Sequence, residues 1–324
     1  MKVSVLGCGA YGIALSIMLN RNNHDITMWT KFEDEKKMLE TKRENKNKLP
    51  NVKIPNNIKF TTNLKEAVTD KDLIIIAIPA GFVGETSKEL KKFITKQQHV
   101  CLASKGIEQE SCLFVEEIFK KHIKTDNLAV ISGPSFAIDM VSDSPIGLSI
   151  ATKNEETNKI VKKALENKYL KLRETNDIIG IEICGSIKNV IAIAAGMLDG
   201  MNATNSTKAM FITESLNDIK ELIDSLGGNK KTILSFAGFG DLLLTCTSEQ
   251  SRNYKFGKLI GSNVSKEELD EYINNTTIEG LYTLKSIYKL LNDKKVNMPI
   301  IDLIYNIILK DEDCKKLFEF LITK

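Results

Sequence analysis

The chain has 324 residues, enough for two domains at about 100–200 residues each, with cores that need no metal or disulfide staple. Hydrophobic residues make up 42% and charged residues 27%, an ordinary balance for a soluble globular protein. Lys+Arg exceed Asp+Glu by only 45 − 42 = 3, an excess too small and scattered to indicate a nucleic-acid partner, and no uninterrupted apolar run reaches the roughly 20 residues of an integral membrane segment.

The first expected element is a buried strand, Lys2 to Leu6, running into Gly7-Cys8-Gly9-Ala10-Tyr11-Gly12 and a helix over 11–20. A lysine followed by an apolar run is also how a signal peptide begins. The spaced glycines and the strand pattern that follows them mark a structural unit instead. The G-x-G-x-x-G spacing has a physical reading. Gly7 permits a tight turn, Gly9 lets backbone approach a pyrophosphate, and Gly12 lets helix and strand pack closely. Free N–H groups at the helix start then face the anion. In its strand–turn–helix setting the pattern predicts dinucleotide binding, through Gly7, Gly9, Ala10, Tyr11 and Gly12.

The second strand, Asp25 to Trp29, lacks the carboxylate that grips the ribose hydroxyls in NAD sites. Lys31 stands near its tip, either as a solvated lysine or as a cation suited to a 2′-phosphate. The reading leans to NADPH over NADH. A charged helix follows from Glu33 to Asn45, then a Lys/Asn-rich loop to Asn57 and a short strand from Ile58 to Thr62. Leu73 to Ile78 is the clearest buried strand and stops at Pro79. Strands at Val100 to Ala103, Leu128 to Ile131 and Gly147 to Ala151 come next, separated by helical patterns. Strands alternating with helices predict an α/β, Rossmann-like, doubly wound parallel sheet, assigned to residues 1–176. Ligands of such a sheet bind beyond the carboxyl ends of its strands. Pro79, Ser104-Lys105-Gly106 and Ser132-Gly133-Pro134-Ser135-Phe136-Ala137 all fall on that edge, although Ser, Gly and Pro are also ordinary turn residues.

From Asp177 onward the patterns are helical, so residues 177–324 are assigned to a second, all-α domain. Helices are expected over 178–198, 207–225, 266–274, 281–292 and 300–309. Within the first of these lies Gly185-Ser186-Ile187-Lys188-Asn189-Val190. Lys188 shares a helix face with Cys184, Gly185, Ile191 and Ala192, all apolar or small. Such a lysine either snorkels from a core helix or is placed for proton transfer, since desolvation disfavours the ammonium form. Further along, Gly238-Phe239-Gly240-Asp241 reads as a close-packed turn presenting an acid. It is followed by Thr245 and by Ser251-Arg252-Asn253, where an arginine suits bidentate phosphate binding. Taken singly, Asp241 also reads as a helix cap and Arg252 as a surface cation.

His24, His99 and His122 lie at element boundaries outside any motif, so no histidine base is indicated. Six cysteines, at 8, 101, 112, 184, 246 and 314, form no CxxC pair. They read as free thiols of a reducing cytoplasm, with no metal site.

Together these segments resemble the NAD(P)-dependent glycerol-3-phosphate dehydrogenase family of the bacterial type, collinearly over nearly the whole chain. The resemblance rests on the glycine loop, Lys105, Gly133 to Ala137, Gly185 to Val190, Gly238 to Leu242, the Ser251-Arg252-Asn253 triplet and Glu279-Gly280. It implies reversible reduction of dihydroxyacetone phosphate to glycerol 3-phosphate by NAD(P)H, with Lys188 as general acid and base. Substrate contacts are implied for Lys105, Gly133, Ser135, Asn189, Asp241, Ser251, Arg252 and Asn253. Cofactor contacts are implied for the glycine loop, Lys31, Pro79, Lys105, Ala137, Arg252, Thr277 and Glu279. A cytoplasmic homodimer that supplies glycerol 3-phosphate for phospholipid synthesis is the further expectation. Ala10 departs from the serine frequent in the family and removes one hydroxyl from the phosphate loop. Thr277 stands where an aliphatic residue is frequent. Two rivals are a Rossmann-plus-helical dehydrogenase of the 6-phosphogluconate or β-hydroxyacid type, acting on a carboxylate, and a dinucleotide-binding sensor without turnover.

Overall fold

A computed structural model describes residues 1–324. The chain forms two compact units, residues 1–105 with 115–178, and residues 106–114 with 179–324.

The first unit is built on one eight-stranded sheet. Its strands are β1 (Lys2–Leu6), β2 (Asp25–Trp29), β3 (Lys59–Thr61), β4 (Leu73–Ile76), β5 (His99–Leu102), β6 (Leu128–Ser132), β7 (Ile146–Thr152) and β8 (Leu170–Thr175). They lie in the order β3-β2-β1-β4-β5-β6-β7-β8. The order reverses between β1 and β4, where a doubly wound sheet opens its ligand crevice. Pairing is parallel from β3 to β6. β7 then runs antiparallel to β6, and β8 parallel to β7. The expected α/β sheet is therefore present, with its last two strands, β7 and β8, reversed and with β8 a strand the sequence reading omits. Leu170-Lys171-Leu172-Arg173 alternates apolar and charged residues, and only the leucines are buried. That is the pattern of an edge strand with one wet face, and the outward charges discourage further pairing. The helices of this unit are α1 (Ala10–Arg21), α2 (Glu33–Lys42), α3 (Leu64–Val68), α4 (Val83–Leu90), α5 (Val115–His122), α6 (Ala137–Val141) and α7 (Glu155–Leu165). Central strands β1, β4 and β5 are buried almost throughout because both faces of the sheet are covered.

His99 opens β5, where burial lowers its pKa from the ordinary 6.5 and Nδ1 lies 2.9 Å from the Thr157 hydroxyl. A histidine held neutral when folded gives stability that is complete above about pH 6.5 and is lost as pH falls through its lower folded value. Urea midpoints are thus expected to drop from pH 7 to pH 5, by less in His99→Gln. An equal drop in both proteins excludes His99 as a source.

The second unit is helical: α8 (Ile178–Gly200), α9 (Asn205–Ser225), α10 (Asp241–Thr247), α11 (Arg252–Gly261), α12 (Lys266–Asn275), α13 (Glu279–Lys294), α14 (Pro299–Leu309) and α15 (Lys316–Thr323). The sequence reading has no counterpart for α10, α11 or α15. α8 is apolar along most of its length, although Glu182, Lys188 and Asp199 interrupt it. Its 23 residues are long and apolar enough to cross a membrane, yet 94% of its most apolar window is buried inside the protein. A helix hydrophobic all round belongs at the centre of a bundle, and Ile187, Val190, Ile191 and Ile193 on α8 are fully buried. α8 and α11 touch backbone to backbone through Gly196 and Gly200 on one and Gly257 and Gly261 on the other. A Cβ on Gly257 would lie 1.8 Å from the Ile193 carbonyl oxygen, and one on Gly196 would lie 2.0 Å from that of Tyr254.

Candidate active site

In the first unit the glycine loop joins β1 to α1. Gly7 has φ +121°, a conformation open to glycine, and a Cβ on Gly12 would lie 2.0 Å from the Gly7 carbonyl oxygen. The Gly9 N-cap makes no side-chain hydrogen bond to the helix start. The first N–H groups of α1 are therefore not capped by that side chain, and a helix start of this kind is suited to receive an anion. Ala10 and Tyr11 open the helix. The Tyr11 hydroxyl lies 3.2 Å from Ser135 Oγ, which donates to the Gly133 carbonyl at 3.0 Å. Lys105 Nζ reaches the same carbonyl at 3.5 Å and sits 5.9 Å from the centre of the Tyr11 ring. Tyr11, Lys105, Gly133 and Ser135 thus form one cluster beyond the carboxyl ends of β5 and β6. Ala137 opens α6. Pro79 closes the β4 segment and starts a short turn of 3₁₀ helix.

Lys31 has a different set of neighbours. It is exposed, pairs with Glu85 at 3.0 Å, and lines an open pocket of about 310 Å³ with Trp29, Lys65, Lys92 and Phe93.

In the second unit, Lys188 and Asp241 meet. Lys188 is 9% exposed and Asp241 1%, and the ammonium donates to Asp241 Oδ1 at 2.6 Å. A buried charge needs a partner of this kind. A wide helical turn, Phe236–Gly240, brings the chain into α10 at Asp241. Thr245, which the sequence reading left without a role, also accepts from Lys188 at 3.2 Å and donates to the Asp241 carbonyl at 2.6 Å. Its i+4 spacing from Asp241 is the signal for it, once α10 is known to be a helix. Cys246 is buried alongside, and burial pushes its thiol well above the ordinary range, which makes it inert.

Around this pair the helix starts are tied together. Asn189 Nδ2 donates to Glu279 Oε2 at 3.2 Å, and Arg252 Nη2 lies 3.8 Å from Glu279 Oε1. Asn253 Oδ1 accepts from the Gly280 N–H at 2.9 Å, which leaves its amide nitrogen as the group suited to an anion. Ser251 is buried and caps α11 by accepting from the Tyr254 N–H. Thr277 is exposed in the link before α13. The six cysteines are free, five of them buried.

Two family models match the chain. The N-terminal model of NAD-dependent glycerol-3-phosphate dehydrogenase covers residues 2–158, and the C-terminal model covers residues 177–319. A Thermoanaerobacter protein named glycerol-3-phosphate dehydrogenase, NAD(P)+, is 38% identical over all of this chain and 97% of its own length. A protein of the same name from Fusobacterium nucleatum is 36% identical over 97% of this chain and 94% of its own. Among solved structures, glycerol-3-phosphate dehydrogenase from Coxiella burnetii superposes with a TM-score of 0.94 at 30% identity, covering 100% of this chain and 99% of the other. D-mandelate dehydrogenase shares the fold, with a TM-score of 0.63 at 15% identity over 96% of this chain and 98% of the other.

Proposed function

The chain belongs to the NAD-dependent glycerol-3-phosphate dehydrogenase family, and from that premise we propose that it interconverts dihydroxyacetone phosphate and glycerol 3-phosphate with NAD(P)H. The observation that carries the mechanism is the buried Lys188–Asp241 pair at 2.6 Å. Bound NAD(P)H supplies the hydride for the C2 carbonyl. Lys188 gives a proton to the developing alkoxide and recovers it in the reverse direction, a role that typically contributes about 10²- to 10⁴-fold. Asp241 and Thr245 fix the ammonium so that little reorganisation accompanies the transfer. Lys105 and Asn189 position the substrate and offset the growing negative charge. Arg252 and the amide nitrogen of Asn253 hold the phosphate. Ser251 supports this clamp as the cap of α11. The glycine loop takes the pyrophosphate, and Glu279, with the backbone at Pro79, Ala137 and Thr277, serves the cofactor.

NADPH is the preferred reductant in this reading, with Lys31 as the 2′-phosphate contact and Glu85 as the counter-ion it exchanges. Glycerol 3-phosphate made here supplies phospholipid synthesis in the cytoplasm, and the enzyme works as a homodimer.

The test is an assay with dihydroxyacetone phosphate and each reduced nicotinamide separately, followed by nicotinamide absorbance. Turnover is expected, faster with NADPH, and Lys31→Glu is expected to raise the KM for NADPH about tenfold while sparing that for NADH. Oxidation of neither cofactor removes the proposal. Turnover instead with a β-hydroxyacid or 6-phosphogluconate favours the carboxylate-directed rival.

A further inference from the structure

We propose that Glu279 is a positioning residue whose carboxylate is the counter-ion Arg252 leaves in order to take the substrate phosphate. The same carboxylate anchors Asn189 beside Lys188. This deepens the reading of Arg252 as the phosphate clamp and rests on it.

The two oxygens of Glu279 have different tasks. Oε2 accepts from Asn189 Nδ2 at 3.2 Å, and Asn189 is buried and next in sequence to Lys188. Oε1 lies 3.8 Å from Arg252 Nη2, with the arginine side chain 54% exposed and the glutamate 43%. That separation is too long for a hydrogen bond, so the pair is held by charge alone in a wet setting. A phosphate dianion offers the guanidinium two short, charge-assisted bonds and displaces so weak a partner. The carboxylate stays close because Asn253 Oδ1 holds the Gly280 N–H at 2.9 Å, tying the start of α11 to the start of α13. A fixed negative charge beside the clamp competes for Arg252 and repels the incoming phosphate. Glu279 therefore lowers substrate affinity while it steadies the asparagine next to the proton donor.

The experiment titrates inorganic phosphate into the full-length, cofactor-free enzyme by calorimetry, and measures kcat at saturating reduced cofactor and dihydroxyacetone phosphate. Glu279→Gln and Glu279→Ala are both expected to bind phosphate about three- to fivefold more tightly, the scale of an exposed ion pair. Their kcat values are expected to part, with Glu279→Ala falling further, because glutamine keeps an oxygen acceptor for Asn189 and alanine does not. Phosphate binding no tighter in Glu279→Gln overturns the counter-ion role, and equal kcat losses in the two variants overturn the Asn189 link. Arg252→Ala separates this proposal from its premise. If that variant binds phosphate as well as wild type, the clamp reading itself fails. If it loses phosphate binding while Glu279→Gln gains none, the clamp stands and the counter-ion does not.

Discussion

Lys188→Ala is expected to lower kcat by at least about 10³-fold, since it removes both the proton donor and a positive charge beside the developing alkoxide. NADPH binding, followed by fluorescence, should stay within about twofold, because the glycine loop belongs to a different unit and its N–H cradle is backbone. The variant also strands Asp241, a carboxylate only 1% exposed, and losing one member of a buried pair costs about 3–5 kcal/mol of stability. Lost turnover alone would therefore confuse chemistry with folding. The double variant Lys188→Met/Asp241→Asn removes both charges and is expected to regain much of the stability and none of the turnover. If Lys188→Ala keeps more than about a tenth of wild-type turnover, the assignment of the proton donor is wrong.

A second large expected effect on stability comes from a single methyl group. Gly257→Ala places a Cβ 1.8 Å from the Ile193 carbonyl oxygen, far inside van der Waals contact. The obstacle is backbone, so no rotamer change relieves it, and α11 has to move off α8. Overpacking of this kind costs about 3 kcal/mol or more. Gly81→Ala is the matched control. A Cβ there meets nothing within 4 Å, so its urea midpoint should correspond to a change within about 0.5 kcal/mol. Equal midpoints for the two variants would mean that α11 shifts freely and that the glycine contact contributes little.

How far the sequence reveals this molecule depends on how local each requirement is. The glycine loop is legible because a tight turn, a close backbone approach and a helix start must all fall within six residues. The central strands are legible because burial on both faces leaves unbroken apolar runs. β8 is hidden by its exposed charges, Lys171, Arg173 and Glu174. The direction of β7 leaves no mark on composition at all, since the same apolar residues serve either orientation. Lys188 is conspicuous as a cation amid apolar neighbours, and Asp241 as an acid between close-packed glycines and a helix. That they touch is a fact about residues 53 positions apart, and no periodicity encodes it. The Asn253–Gly280 and Asn189–Glu279 bonds also join residues far apart in sequence, 27 and 90 positions respectively. Ser251 shows the reverse difficulty, because a serine ahead of a helix looks the same whether it meets a ligand or caps backbone N–H groups.

Residues 106–114 leave the sheet-bearing unit immediately after Lys105 and return to it at Val115, with Ile107 and Phe114 buried in the helical core. The polypeptide therefore passes between its two units three times, at 105, 114 and 178. No single proteolytic nick at these connections therefore yields either unit whole and by itself, because at least one of the two fragments always carries residues of both units. Fragments cut at 178 separate Ile107 and Phe114 from the helices that cover them, so the 179–324 fragment lacks part of its own core while the sheet unit keeps all of its core.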